Sequence, residues 1–224
     1  MKSKGNNIGW CDKTCNPVTG CPNGCEYCYA RSMNDRFKWV EDFSKPQFFP
    51  HRLKEFRTKE PMIIFIDSMS DIAYWKWGWF RETIHAIYNN PQNIYLALTK
   101  NIKKFNTELR CKFSLPARLF IGATVTNNTQ AQAVIDAGGA DFISFEPLME
   151  RIRLELLDNL KCKWWIVGDL TKGGRPQGVT CFQWVDDMIQ HGERHNVPIF
   201  MKDSLKCTVG ETFRQEFPAG WKGE

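Results

Sequence analysis

The stretch Met62-Ile63-Ile64-Phe65-Ile66-Asp67-Ser68-Met69-Ser70-Asp71 decides how this chain is read. Its unbroken apolar run suits a strand buried on both faces, and the polar run behind it marks where that strand reaches water. Downstream, Trp79 to Tyr88 reads as a helix with Phe80, Ile84 and Ile87 on one face, stopping before Pro91. Ile94-Tyr95-Leu96-Ala97-Leu98 is then a second strand of the same kind, ending at Thr99-Lys100. Two fully apolar strands joined through a helix make a βαβ unit, in which the strands run parallel.

The pattern repeats outward in both directions. Asn16 to Gly20 reads as a first strand feeding a cysteine-rich loop, with a helix from Tyr29. After a helix at Ile102 to Leu109, Leu119 to Val125 is a strand ending in Thr126-Asn127-Asn128, and Thr129 to Ala137 is a helix closed by Gly138-Gly139. Asp141 to Phe145 leads into Glu146-Pro147, and Trp164 to Gly168 leads into Asp169 and a glycine-rich loop. Phe182 to His191 is helical, and Val197 to Met201 is the last strand, ending at Lys202-Asp203. Apolar strands separated by helices predict an α/β fold with a parallel sheet under outer helices. A closed eight-fold barrel typically needs about 250 residues, and this chain has 224. The expectation is therefore a partial (β/α)6 TIM-like barrel, with a flavodoxin-like sheet as the runner-up. Residues 1–224 read as one domain, of which 1–15 form an N-terminal extension leading into the loop at 20–30.

Composition narrows the class of protein. Hydrophobic residues at 42% and charged residues at 25% fit a packed soluble chain rather than a disordered one. No apolar stretch approaches the length of a membrane span, so no membrane is expected. Met1-Lys2-Ser3-Lys4-Gly5-Asn6-Asn7 has charge but no apolar run behind it, which points to the cytoplasm. A net charge of +5 permits a phosphate-bearing partner without demanding one.

The loop itself, Gly20-Cys21-Pro22-Asn23-Gly24-Cys25-Glu26-Tyr27-Cys28-Tyr29-Ala30, supplies three thiols at C-x3-C-x2-C spacing. Three thiolates suit a [4Fe–4S] cluster with one iron left open to a small molecule. They also suit a zinc knuckle completed by Cys15 or Cys11, which would make the chain a non-catalytic, zinc-stabilised nucleic-acid-binding module. A disulfide framework fits less well, because nine cysteines is an odd count in a chain far longer than small stapled domains.

C-x3-C-x-aromatic-C, with Tyr27 before the last cysteine, resembles the signature of the radical S-adenosylmethionine superfamily. Trp10, Asn16-Pro17-Val18-Thr19-Gly20-Cys21, Gly24-Cys25, Cys28-Tyr29-Ala30, Ser68-Met69-Ser70-Asp71, Leu98-Thr99-Lys100, Ser144-Phe145-Glu146-Pro147-Leu148 and Val167-Gly168 extend the likeness over most of the chain. These pieces resemble a sub-family of radical-SAM-like proteins from phages and bacterial genomes, largely of unknown function, with a looser likeness to spore photoproduct lyase. Many members carry a longer insert between the first two cysteines, and relatives tend to have other residues where Cys11 and Cys15 stand. The resemblance implies a partial barrel and an enzyme in which Cys21, Cys25 and Cys28 hold the cluster. There, reductive cleavage of S-adenosylmethionine would give a deoxyadenosyl radical. Tyr27 would lie near the adenine, and Ser68, Ser70 or Asp71 would receive the amino group. Thr124, Thr126 or Asn127 would hold the ribose or carboxylate, and the backbone at Val167 and Gly168 would flank the adenine. Implied partners are a flavodoxin or ferredoxin as reductant, a nucleic-acid base or nucleotide as substrate, and a partner protein. The setting would be a cytoplasm, the host's if the chain is phage-encoded.

Glu146 and Lys202, at two strand exits, are the candidate catalytic residues on the substrate side. The carboxylate could orient substrate or move a proton, and the ammonium could neutralise an anion; the plainer reading is a salt bridge between the two. Lys172-Gly173-Gly174-Arg175 is an anion-receiving loop or a solvated turn. His191 and His195 have i, i+4 spacing, but Gly192 between them reads as the approach to a helix end, so surface capping rather than a metal set is expected. Cys111, Cys162, Cys181 and Cys207 read as buried small hydrophobes.

Overall fold

Where the sequence carries its unbroken apolar runs, the chain forms parallel strands. The structure, a computed structural model, describes residues 8–112 and 114–222. Among these, Cys11–Ile121 form one compact unit, and Ile8–Trp10 join the chain from Gly122 onward in a second. In chain order the first unit contains β1 (Lys13–Thr14), β2 (Val18–Thr19), α1 (Tyr29–Phe37), β3 (Gln47–Phe48) and β4 (Ile63–Phe65). It continues through α2 (Trp77–Tyr88), β5 (Ile94–Thr99), α3 (Ile102–Glu108) and β6 (Leu119–Thr124), whose end from Gly122 belongs to the second unit. The second unit adds α4 (Asn128–Asp136), β7 (Phe142–Phe145), α5 (Leu154–Asn159), β8 (Trp165–Val167), β9 (Thr171–Lys172), β10 (Arg175–Pro176), α6 (Phe182–His195) and β11 (Ile199–Met201). Hydrogen-bonded neighbours follow the order β1-β4-β5-β6-β7-β8-β11 in a seven-stranded sheet. The α/β class expected from the sequence is the class adopted.

The start of the sheet differs from the sequence reading. Lys13 and Thr14, not Asn16 to Gly20, lie parallel to β4 in register with Ile64 and Phe65. Val18 and Thr19 instead pair antiparallel with Phe48 and Gln47. Pro17 has no N–H to continue a ladder, so the chain changes partner across it. α5 has no counterpart in the sequence reading, because six residues are too few for an apolar period to stand out. α6 runs past His191 to His195. Gly192 therefore lies inside a helix, and its role is close packing. A Cβ there would stand 2.7 Å from Ile199 Cδ1 and 2.9 Å from the Val197 carbonyl oxygen.

Each unit has its own aromatic core. In the first, the buried Phe80 of α2 meets Phe105 of α3 edge to face at 5.9 Å, and Phe56 lies against Tyr95 of β5 at 4.9 Å. In the second, Trp164 is fully buried among Trp10, Phe142 and Phe200 and donates its indole N–H to the Glu216 carbonyl at 2.8 Å. Truncating a ring so enclosed costs about 3–5 kcal/mol. No helix among the described residues is long and apolar enough to cross a membrane.

Gly192→Ala sets two effects against each other. Alanine favours the helix by about 1 kcal/mol, but its Cβ overlaps a backbone carbonyl that no rotamer change can move. The overlap wins, for a net loss of about 1–3 kcal/mol. Gly78→Ala in the first turn of α2 meets nothing within 4 Å and should gain up to about 1 kcal/mol. Urea unfolding midpoints of the two variants should move in opposite directions.

Candidate cofactor site at the cysteine loop

The cysteine loop is fastened to the first unit at both ends. At its start, the Gly20 N–H donates to the Met69 carbonyl at 2.9 Å, and Gly20 forms an isolated parallel bridge with Ser70 just beyond β4. Gly20 has φ +111°, and a Cβ there would lie 2.9 Å from Pro46 Cα and 3.0 Å from the Phe43 oxygen. Cys21 N–H donates to that same Phe43 oxygen at 2.7 Å. At its end, Cys28 is the N-cap of α1, and its sulfur accepts from the Arg31 N–H at 3.4 Å. Cys21 and Cys28 pack on an apolar cluster of Ala30, Val40, Phe43 and Met69.

All three loop cysteines are free and partly exposed. The Cys21 thiol is pushed up to about 12, by burial first and then by the charge of Asp71, with Cys28 and Cys25 adding to it. Cys28 and Cys25 thus lie near enough to Cys21 to act on its thiol.

Two buried acids lie beneath the loop. Asp71 accepts from Asn23 Nδ2 at 2.9 Å, from the Lys100 N–H at 2.9 Å and from the Ala73 N–H at 3.0 Å. Asp67 accepts from the Leu98 N–H through both oxygens, at 3.0 and 3.2 Å, and from the Ile72 N–H at 3.2 Å. Burial holds both carboxyls above the ordinary range, Asp67 well above it. Asn16 Oδ1 gathers the Ser68 hydroxyl at 3.0 Å and the Met69 N–H at 2.9 Å, while Tyr29 donates to the Ser68 carbonyl at 2.6 Å. Lys100 Nζ stands 5.4 Å over the Tyr27 ring, and Ser70 Oγ accepts from the Trp75 indole at 3.0 Å.

Of the residues the sequence marked for cofactor binding, Tyr27, Ser68, Ser70 and Asp71 therefore border this loop. Asn16, Asn23 and Asp67 were missed. Asn16-Pro17 and Asn23-Gly24 look like ordinary turn pairs, and only an acid directly behind an apolar run hinted at Asp67.

The remaining marked residues lie in the second unit. Thr124 and Thr126 are buried, and both the N–H and the hydroxyl of Thr126 donate to Gln130 Oε1, at 2.7 and 3.0 Å. The Asn127 side chain caps α4, accepting from the Gln130 N–H at 2.9 Å. The Val167 carbonyl accepts from the Lys202 N–H at 2.9 Å, and Gly168 N–H donates to Phe145 O at 3.0 Å. The Lys202 ammonium meets the Glu146 carboxylate in a half-buried ion pair. Asp169 takes the N–H groups of Gly178, Val179 and Thr180. Lys172 to Arg175 form the exposed turn between β9 and β10. Cys15 is buried, its thiol donating to the Arg52 carbonyl, whereas Cys111, Cys181 and Cys207 are exposed rather than buried as expected.

A family model described as a protein of unknown function (DUF5131) matches residues 5–215. No curated protein and no solved structure matches the chain.

The acids set a pH dependence. Below the unfolded carboxylate range, Asp67 is protonated in both states. As pH rises through that range the unfolded chain releases its proton while the native carboxyl keeps it, so this group's effect is to lower stability toward neutral pH. Asp67→Asn cannot ionise and retains an oxygen acceptor. Its stability relative to the parent chain should therefore rise between about pH 4 and about pH 7. Urea titrations at the two pH values check this, and an identical offset at both would contradict it.

Proposed function

The chain belongs to the DUF5131 family, and we propose that its cysteine loop holds a [4Fe–4S] cluster for radical S-adenosylmethionine chemistry. The observation that carries this reading is the spacing of the thiols. Cys21, Cys25 and Cys28 stand at C-x3-C-x2-C spacing on one loop, held at its start by the Gly20–Met69 hydrogen bond and at its end by the Cys28 cap of α1. Three thiolates presented this way suit a [4Fe–4S] cluster with one iron left open to a small molecule. The parallel strands are read accordingly as a partial (β/α)6 barrel.

When bound, such a cluster and S-adenosylmethionine together supply reductive cleavage of a sulfonium bond and hydrogen-atom abstraction from substrate. The residues of the chain hold and orient. Asp71 fixes the loop through Asn23, and Tyr27 offers a ring face beside the Lys100 ammonium. The Ser68 and Ser70 oxygens are acceptors for a cationic amine, the role assigned to this segment. Thr124, Thr126 and Asn127 are assigned to ribose or carboxylate, and the Val167-Gly168 backbone to adenine. Glu146 and Lys202 neutralise each other at rest, so an incoming anion or a transferred proton would part them.

The substrate is read as a nucleic-acid base or nucleotide. Supporting this, α1 and the residues after it expose Tyr29, Phe37 and Trp39. Phe37 and Trp39 stack at 5.3 Å, and the Arg36 guanidinium lies 5.1 Å over Phe37. Exposed rings beside cations are what bases and phosphates bind. A flavodoxin or ferredoxin would supply the electron in a reducing cytoplasm, and a partner protein would complete the substrate pocket.

Anaerobic reconstitution with iron and sulfide should give a brown protein that bleaches in air. With a reductant and S-adenosylmethionine it should release deoxyadenosine, and Cys25→Ala should lose both colour and cleavage. A colourless protein that carries one zinc and leaves S-adenosylmethionine intact would overturn the proposal.

A further inference from the structure

The second unit holds a group of metal-ligand side chains that the proposed function leaves unused. α5 and α6 bring Asp158, His191 and His195 together, each offering one ligand atom, with all three atoms within 4.8 Å of one another. Asp158 Oδ1 lies 3.3 Å from His195 Nε2 and 3.6 Å from His191 Nδ1. The sequence reading placed these histidines at a surface cap. Instead Asn196, in the left-handed conformation, is the C-cap, and His191 is 2% exposed.

Nδ1 of His191 is buried and has no hydrogen-bond partner. Such orphaned polar atoms are uncommon in folded chains, and Asp158 is too far away to satisfy this one. The ring is also fixed in place, lying flat on Trp165 at 5.5 Å and 20°. These groups border a cavity of about 210 Å³ whose other walls include Leu160 and Val197.

We propose that Asp158, His191 and His195 bind a divalent transition-metal ion of the zinc class, with the fourth position left to water. Ligands about 2.0–2.2 Å from a tetrahedral zinc stand about 3.3–3.6 Å from one another, and both distances from Asp158 fall in that range. Two imidazoles and one carboxylate favour zinc, cobalt or nickel over the hard cations calcium and magnesium, which take oxygen ligands. The His195 ring stacks on that of His191 at 4.3 Å. It is half-exposed, so it can turn its Nε2 toward the ion while His191 stays fixed. The i, i+4 pair on α6 and the acid on α5 would then be clasped by one ion.

The test uses the full chain with Cys21, Cys25 and Cys28 each replaced by Ser, so that the loop thiols do not compete for metal. Titration with Co2+ should give one equivalent of visible d–d absorption without a thiolate charge-transfer band, and Zn2+ should displace it. Asp158→Asn and His195→Ala, both at solvent-facing side chains, should each weaken binding by at least about tenfold. As a second measurement, the unaltered chain is given Zn2+ in excess over its thiols, and the imidazole nitrogen resonances of His191 and His195 should shift. The proposal fails if no d–d band forms, if the band survives both substitutions, if it carries a thiolate signature, or if those resonances stay in place.

Discussion

Between Gly20 and Met69, on the segment that follows β4, the backbone has no slack, and the candidate site rests on that contact. Its hydrogen bond to Met69 is individually worth only about 0.5–1.5 kcal/mol net. The steric side is less forgiving, because Pro46 Cα and the Phe43 oxygen fill the space a side chain would need. Only glycine meets both the close approach and the positive φ. The position of Cys21 is therefore set by main-chain geometry before any ligand arrives. Cys28 is set in the same way, since its sulfur caps α1.

The buried acids extend this logic from the loop into the sheet. Asp67 and Asp71 follow β4, yet their acceptor oxygens are taken by N–H groups at the end of β5, those of Leu98 and Lys100. They tie the exits of two adjacent strands, and Asp71 reaches on to Asn23 in the loop. Two ionised carboxylates so close and so buried would be costly, and their raised pKa values are the expected response. Their oxygens act as fixed acceptors of N–H groups within the fold. In the second unit, Asn127 caps its own helix, Thr126 is engaged by Gln130, and Asp169 holds the turn back to Thr180. Much of the polar rim that the sequence suggested for ligand binding is thus partly occupied within the fold.

What the sequence made legible were the long apolar strands. Ile94 to Leu98 and Leu119 to Val125 are apolar over enough residues that burial on both faces was the only economical reading, and their polar exits followed. The short elements were illegible for the same physical reason in reverse. Lys13–Thr14 is a two-residue edge strand of mixed character, and its pairing with β4 depends on where Pro17 turns the chain. The cysteine spacing was plain, but its supports were not, because Asn16 and Asn23 act through side-chain bonds to residues some fifty positions away. His191 was misread because Gly192 looked like a stop signal. Its actual role, letting α6 approach Val197 and Ile199, depends on a contact that sequence alone does not reveal.

The nine thiols differ in their availability to metals. Burial lowers it for Cys15 and Cys162, whose thiols are pushed up to about 12 and about 11. A thiol held protonated is a poor ligand and a poor nucleophile. Cys21 is raised as well, but it differs in kind, because two other thiols share its surroundings and a bound cation would reverse the balance. The nitrogen and oxygen donors of α5 and α6 have the opposite character, closely set and hard enough to disfavour iron–sulfur chemistry. Donor softness thus separates the two candidate centres, each within its own unit. A zinc-class ion can use either donor set, whereas an iron–sulfur cluster needs the thiolates.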